Sequence, residues 1–170
     1  MKNYRKSIAN GTKINSRDIA LKSLHFVLQK EFTPTNALNA QPAFFQIDYR
    51  DRAFSTLLLL TTLRRLGQID AAISTLIERP LAKRYIHIMN IIRLGAAQIL
   101  FLEIPPYAVI NNAVNQTKYS RFQAHKGLVN AVLRRILERR EKLLLSQDSA
   151  FLNTSDWVWN SWKNFYGEKT

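Results

Sequence analysis

The sequence predicts an all-α helical bundle. Apolar residues recur three and four apart along most of the 170-residue chain, and no segment alternates apolar and polar residues as a half-buried strand would. The five prolines all stand between the periodic stretches, where they punctuate helices instead of breaking them. A chain of this length makes one domain, or one domain with a fragment of a second, and can bury a real core.

Ser16 is the expected N-cap of a first helix over Arg17 to Lys30, with Ala20, Leu24, Val27 and Leu28 on its apolar stripe. Asp18 precedes Lys22 by four residues on the other side, the favourable order for a helical ion pair. Residues 31 to 47 hold two prolines and several amides without a period, which predicts a loop whose Phe44 and Phe45 either fold back on the core or stack on a base. From Asp48 a second helix carries acids in its first turn, Arg64 and Arg65 in its last and Gly67 just beyond, the charge order that a helix dipole favours. Its expected buried face is Ala53, Phe54, Leu57, Leu58 and Leu60. A short third helix, Gly67 to Glu78, should turn Ile69, Ile73, Leu76 and Ile77 inward.

The stretch from Arg84 to Leu102 is apolar on nearly every side, which predicts a central helix covered by its neighbours. Gly95, Ala96 and Ala97 permit a close crossing at its middle. Pro105 ends it, and Pro106 suits the first turn of a fifth helix. There Tyr107, Ile110, Val114 and Thr117 share the expected inner side, and Asn111, Asn112 and Asn115 the outer. After a break near residues 123 to 127, a sixth helix is expected from Gly127 to about Leu145.

That last helix poses the functional question. Four arginines, Arg134, Arg135, Arg139 and Arg140, fall within seven positions, and they either grip a polyanion or face water. Leu128, Val129, Val132, Leu133, Ile136 and Leu137 fill about half of the helical projection, and Arg134 and Arg135 fall on the other half. Glu138 lies four residues after Arg134 and can pair with it for about a few tenths of a kcal/mol. Arg135 has no acid four residues away and only Glu138 three away, so it is the stronger candidate for ligand contact. Asn130, at the border of the apolar arc, is expected to hydrogen-bond to backbone at a helix junction.

Composition narrows the partner classes. With 25 Lys and Arg against 12 Asp and Glu, the net charge is +13, which points to a phosphate-rich partner, nucleic acid first, or to an anionic membrane surface. Residues 1 to 30 hold seven cations and one acid, and residues 121 to 142 hold seven cations and two acids. Residues 1 to 15 read as a basic arm, either an RNA-tracking tail or a solvated terminus, and they lack the apolar segment of a secretory signal. No apolar run approaches the ~20 residues of a membrane span. The absence of cysteine excludes disulfides, a zinc ribbon and a thiolate nucleophile, and fits a cytoplasmic location.

Three stretches, DRAFSTLLLLTTLRRLGQID, IIRLGAAQILFLEIPPYAVINNAV and GLVNAVLRRI, resemble the NusB-like RNA-binding domain, in particular the amino-terminal domain of the Sun/Fmu-type 16S ribosomal RNA cytosine 5-methyltransferases. The resemblance covers Ser16 to Leu145. It implies an all-α bundle of two packed sub-bundles that binds RNA, with small-subunit ribosomal RNA as the expected partner and a ribosomal protein as a further one. In the methyltransferases a catalytic region follows, and residues 146 to 170, with Trp157, Trp159, Trp162, Phe165 and Tyr166, resemble the segment that begins it. The alternative for that segment is a last helix docking on the bundle. Within the resembling region the candidate RNA-binding residues are Arg17, Arg64, Arg65, Arg134, Arg135 and Arg139, joined by Lys13 of the arm. Asn111 and Asn130 are candidate structural polar residues.

Two departures from the family matter. The family pattern Asn-Glu-Ala-Val is here Asn111, Asn112, Ala113 and Val114, so any ion pair made by that acid is lost. The family's catalytic cysteines and glycine-rich cofactor loop have no counterpart in a chain with no cysteine and five glycines. No cofactor or metal is therefore expected in this chain, and S-adenosylmethionine only in a catalytic region beyond it. A stand-alone transcription-antitermination adaptor is the competing expectation. An enzyme working through Asp48, Asp51, His87 or His125 lacks any pair at a suggestive spacing.

Overall fold

The computed structural model describes residues 15–118 and 122–167, and every regular element among them is helical. The chain divides into two compact units, Met1–Leu57 and Leu58–Thr170.

In the first unit, α1 (Ser16–Lys30) is capped by Asn15, whose Oδ1 accepts from the Arg17 N–H at 3.0 Å. The cap thus falls one residue before the predicted Ser16, which is instead buried as the first helical residue. Asn and Ser cap about equally well, so burial decides between them. Ile19, Ala20, Leu21 and Leu24 are buried, as are Ala37 and Leu38 of α2 (Pro34–Asn39), the helix on which α1 packs. The buried Ser23 hydroxyl donates to the Ala37 carbonyl at 3.2 Å and ties the two helices together.

The predicted loop from 31 to 47 is therefore partly helical. Glu31 ends α1 in the left-handed region at φ 57°, Thr33 caps α2 by accepting from the Asn36 N–H, and Pro34 occupies its first turn. Six residues are too few for a readable period, yet Thr-Pro was a start signal. A 3₁₀ turn over Pro42–Phe45 follows. Phe44 is half-buried, but Phe45 is 59% exposed, so the pair does not fold back on the core as a unit.

The next helix, α3 (Tyr49–Arg64), runs through the unit boundary. Its buried side chains are Ser55, Leu58, Leu59 and Thr62, whereas Ala53 and Leu57 are exposed. The predicted face was rotated because a run of four leucines carries no polar marker. Ser55 and Thr62 can lie inward because their hydroxyls donate to the Asp51 and Leu58 carbonyls of their own helix, at 2.8 and 2.7 Å.

The second unit continues with α4 (Leu66–Ser74), α5 (Ile86–Phe101), α6 (Pro106–Lys118), α7 (Lys126–Glu138), α8 (Arg140–Leu145), α9 (Ser149–Leu152) and α10 (Asp156–Tyr166). As predicted, α5 is central: residues 94–100 are all buried, and it packs against α4, α6, α7 and α8. The close crossing at Gly95 is with α7, since a Cβ there would lie 2.7 Å from both terminal methyls of Leu133. Val109, Ile110, Ala113 and Thr117 form the inner face of α6; Tyr107, expected inside, is 73% exposed.

Two boundaries differ from expectation. Gly67 does not close a helix but sits in the first turn of α4, where a Cβ would overlap the Leu152 carbonyl of α9. Glycine is needed there for close approach, not for a left-handed cap. The long sixth helix breaks at Arg139 (φ −107°, ψ 14°), so that α8 turns away from α7 and Arg140 donates from Nη2 to the Leu100 carbonyl at the end of α5, at 3.3 Å.

Candidate nucleic-acid interface

Lys13 lies outside the described residues. Arg17, in the first unit, is partly buried on α1, with its guanidinium 4.9 Å from the centroid of the Phe54 ring. Burial pulls its pKa below the ordinary arginine value, and the nearby Asp51 and Asp18 carboxylates pull it back up. Arg17 is thus a packed cation with acidic neighbours.

The second unit holds the other candidates. Arg64 is exposed at the end of α3. Arg65, the single residue between α3 and α4, donates from Nη1 to Gln68 Oε1 at 3.0 Å and lies over the Phe101 ring at 5.3 Å. Together with Arg140 it closes the C-terminal end of α5. Arg135 donates to the Leu76 carbonyl just beyond α4, at a long 3.5 Å, and lines with Arg139 a cleft of about 330 Å³ whose other wall is Ser74–Glu78. Arg134 is exposed and donates from Nε to Asn130 Oδ1 at 3.2 Å.

The arginines thus do more than grip or dissolve: Arg65, Arg135 and Arg140 sit at helix C-termini, where carbonyls lack intrahelical partners and the dipole is negative. Arg134 takes the amide of Asn130 instead of the Glu138 carboxylate, and Asn130 serves that arginine instead of a backbone junction. Among the described residues, the one ion pair within 4 Å is Arg93 with Asp70, bidentate at 2.8 and 2.7 Å. Arg64, Arg65, Arg134, Arg135 and Arg139 therefore carry charge that no described carboxylate neutralises at contact distance. Each guanidinium has five N–H donors, so one bond to a carbonyl or amide leaves most of them for another acceptor. The arrangement favours phosphates.

Asn111 is exposed on α6, and its side chain makes no hydrogen bond among the described residues. Its neighbour Asn112, at the position of the family's glutamate, donates to the Ala108 carbonyl of its own helix at 2.8 Å. His87 stacks on Phe122 at 5.8 Å, and Tyr85 lies 4.7 Å from His125, so these histidines belong to an aromatic cluster. No group of three metal-ligating side chains occurs among the described residues, and no helix there is long and apolar enough to cross a membrane.

Sequence reasoning missed a polar lock between α4 and the segment after α8. The Gln68 N–H donates to Asn153 Oδ1, Asn153 Nδ2 to Gln68 Oε1, and Gln147 Nε2 to the Gln68 carbonyl, at 3.2, 2.8 and 2.9 Å. It missed the Arg93–Asp70 pair as well, although an arginine inside the apolar stretch of α5 was a signal that a partner had to be found. Beyond the lock, α10 leaves Trp157 at 76%, Trp162 at 54%, Phe165 at 82% and Tyr166 at 65% exposure. Trp159 is half-buried, edge-on to Phe151 at 5.3 Å.

The chain is similar to ribosomal RNA small subunit methyltransferase B of Shigella flexneri serotype 5b, with 28% identity over 158 residues, 91% of this chain and 36% of that protein. It is similar to the proteins of the same name from Cronobacter sakazakii, at 29% over 150 residues (86% of this chain, 34% of the relative), and from Klebsiella pneumoniae subsp. pneumoniae, at 30% over 131 residues (77% and 30%). The chain spans about a third of the length of these relatives. Helices α1 to α7 fall within a match of the NusB family to residues 14–138, nearly three quarters of the sequence, and the chain belongs to that family.

Proposed function

We propose that this chain is the RNA-binding part of a 16S ribosomal RNA cytosine 5-methyltransferase and acts on small-subunit ribosomal RNA in the cytoplasm. The observation that carries the proposal is α7 and its end, where Arg134, Arg135 and Arg139 stand exposed without a carboxylate partner. Similarity to the methyltransferases over most of the chain supports it. Binding works by neutralising phosphates and releasing counterions, and sequence preference comes from polar groups reaching unpaired bases. Arg17, Arg64 and Arg65 widen the basic surface of their own units, and Lys13 contributes a further cation.

A chain with no cysteine and five glycines does not fit the donor set of methyl transfer from S-adenosylmethionine. We assign that chemistry to a separate catalytic region, which takes the exposed rings of α10 as its packing surface. The antitermination adaptor, with a ribosomal protein as partner, is the weaker reading. It needs those rings covered by the chain's own bundle, and Trp157 and Phe165 are more than three-quarters exposed.

Fluorescence anisotropy with a small-subunit ribosomal RNA hairpin and a scrambled hairpin, at two salt concentrations, tests the proposal. Tighter binding to the true hairpin is expected, weakened by salt and by Arg135→Ala. Equal weak binding to both, indifferent to Arg134→Ala and Arg135→Ala, would refute it.

A further inference from the structure

The cleft beside Arg135 and Arg139 has a mixed chemistry that a simple anion site would not need. One wall supplies two guanidinium groups. Arg135 spends one described bond on the Leu76 carbonyl, and the Arg139 side chain makes none among the described residues. The other wall is the end of α4, where the Ser74 and Thr75 carbonyls receive no backbone N–H among the described residues, as befits a helix C-terminus. Glu78 adds a carboxylate on the same side. Two cations against one acid and a negative dipole end leave room for about one phosphate, since a second would meet Glu78. The bare carbonyls and Glu78 can only accept, so whatever lies against them must donate.

We infer that this cleft holds one ribonucleotide unit of a bound strand, its phosphate on Arg135 and Arg139 and its 2′-hydroxyl donating to the rim of Ser74–Glu78. The inference rests on the RNA-binding proposal and makes it chemically narrower. The 2′-hydroxyl is the group by which a protein distinguishes RNA from DNA, and a cleft of about 330 Å³ falls at the small end of ligand sites. No aromatic residue lines it, so the base stays outside and the cleft reads sugar and phosphate without reading sequence.

The test is anisotropy of the full chain with a fluorescent single-stranded RNA, its DNA counterpart and its 2′-O-methyl counterpart. Arg139→Gln is the clean variant, because that side chain supports no described bond; Arg135→Gln is the second, with thermal melting as a check on folding. Lys142→Gln, an exposed cation outside the cleft, controls for charge. Arg139→Gln is expected to weaken RNA binding roughly tenfold, the loss of one charge-assisted contact, and to flatten the salt slope by about one. Lys142→Gln should do less, and DNA and 2′-O-methyl RNA should bind more weakly than RNA to the unmodified chain. If RNA does not bind at all, the functional proposal fails. If it binds but Arg139→Gln and Arg135→Gln behave as Lys142→Gln does, the cleft assignment fails alone. RNA and DNA binding equally, with both arginine variants weakened, would overturn the ribose contact.

Discussion

α7 hides its apolar face under α5 and α6 and turns arginines outward, whereas α10, also strongly amphipathic, turns tryptophans outward and half-buries only Val158 and Trp159. The two outward surfaces act through different physics. Arginines attract over roughly a Debye length of about 8–10 Å and weaken with salt. Exposed rings act at contact, through area removed from water at about 25 cal/mol per Å². The two helices therefore offer different chemistry at their surfaces, charge on α7 and apolar area on α10.

The largest effect should come from loosening the packing that anchors α7. Leu133 is fully buried against Gly95, and Leu133→Ala should cost about 2–5 kcal/mol of stability, read from chemical denaturation. A Cβ at Gly95 would press on two methyls of Leu133 at once, so a substitution there requires that side chain to shift. A loss below about 1 kcal/mol for Leu133→Ala would mean that the α5–α7 crossing is not where the second unit gains its stability.

The next effect concerns how α10 is held. Gly67→Ala sets a methyl against the Leu152 carbonyl, where backbone instead of a flexible side chain must move; a cost of about 1–3 kcal/mol is expected. Asn153→Ala removes both bonds to Gln68 and leaves the Gln68 N–H without its acceptor, for about 1–2 kcal/mol. Both variants should also speed protease cleavage near Asp156 while α5 and α7 stay protected. Uniform loss of protection across the second unit would show that α9 and α10 are part of the core, and the contrast with α7 would collapse.

The legible and illegible parts of the molecule separate along the same line. α5 was readable because an all-round apolar stretch with Gly95, Ala96 and Ala97 at its centre leaves one role open. The inner face of α7 was readable at Val129, Val132, Leu133 and Ile136, which are buried as expected, whereas Leu137 at the edge of the apolar arc is exposed and Leu128 half-buried. In α3 the four consecutive leucines gave no phase, and inward hydroxyls at Ser55 and Thr62 ran against composition, since their satisfaction by carbonyls of the same helix is invisible in a hydropathy pattern. The individual arginines were illegible for a different reason. The Leu76 carbonyl that Arg135 meets is 59 residues away in sequence, and the Leu100 carbonyl that Arg140 meets is 40 away, so local charge pairing named the wrong partner for Arg134 and could not find that of Arg135.

The smallest stability effects should be the most informative about function. Arg134 and Trp157 are both exposed, and Arg134→Ala and Trp157→Ala should each leave folding within about 0.5 kcal/mol of the unmodified chain. Their effects on the surface should diverge. Arg134→Ala should lower RNA affinity more at low salt than at high salt and leave retention on a hydrophobic column unchanged, because the group it removes acts through charge. Trp157→Ala should shorten that retention and leave the salt dependence of RNA binding untouched. If Trp157→Ala weakens RNA binding as much as Arg134→Ala does, the ring stacks on a base, and α10 and α7 serve one partner instead of two.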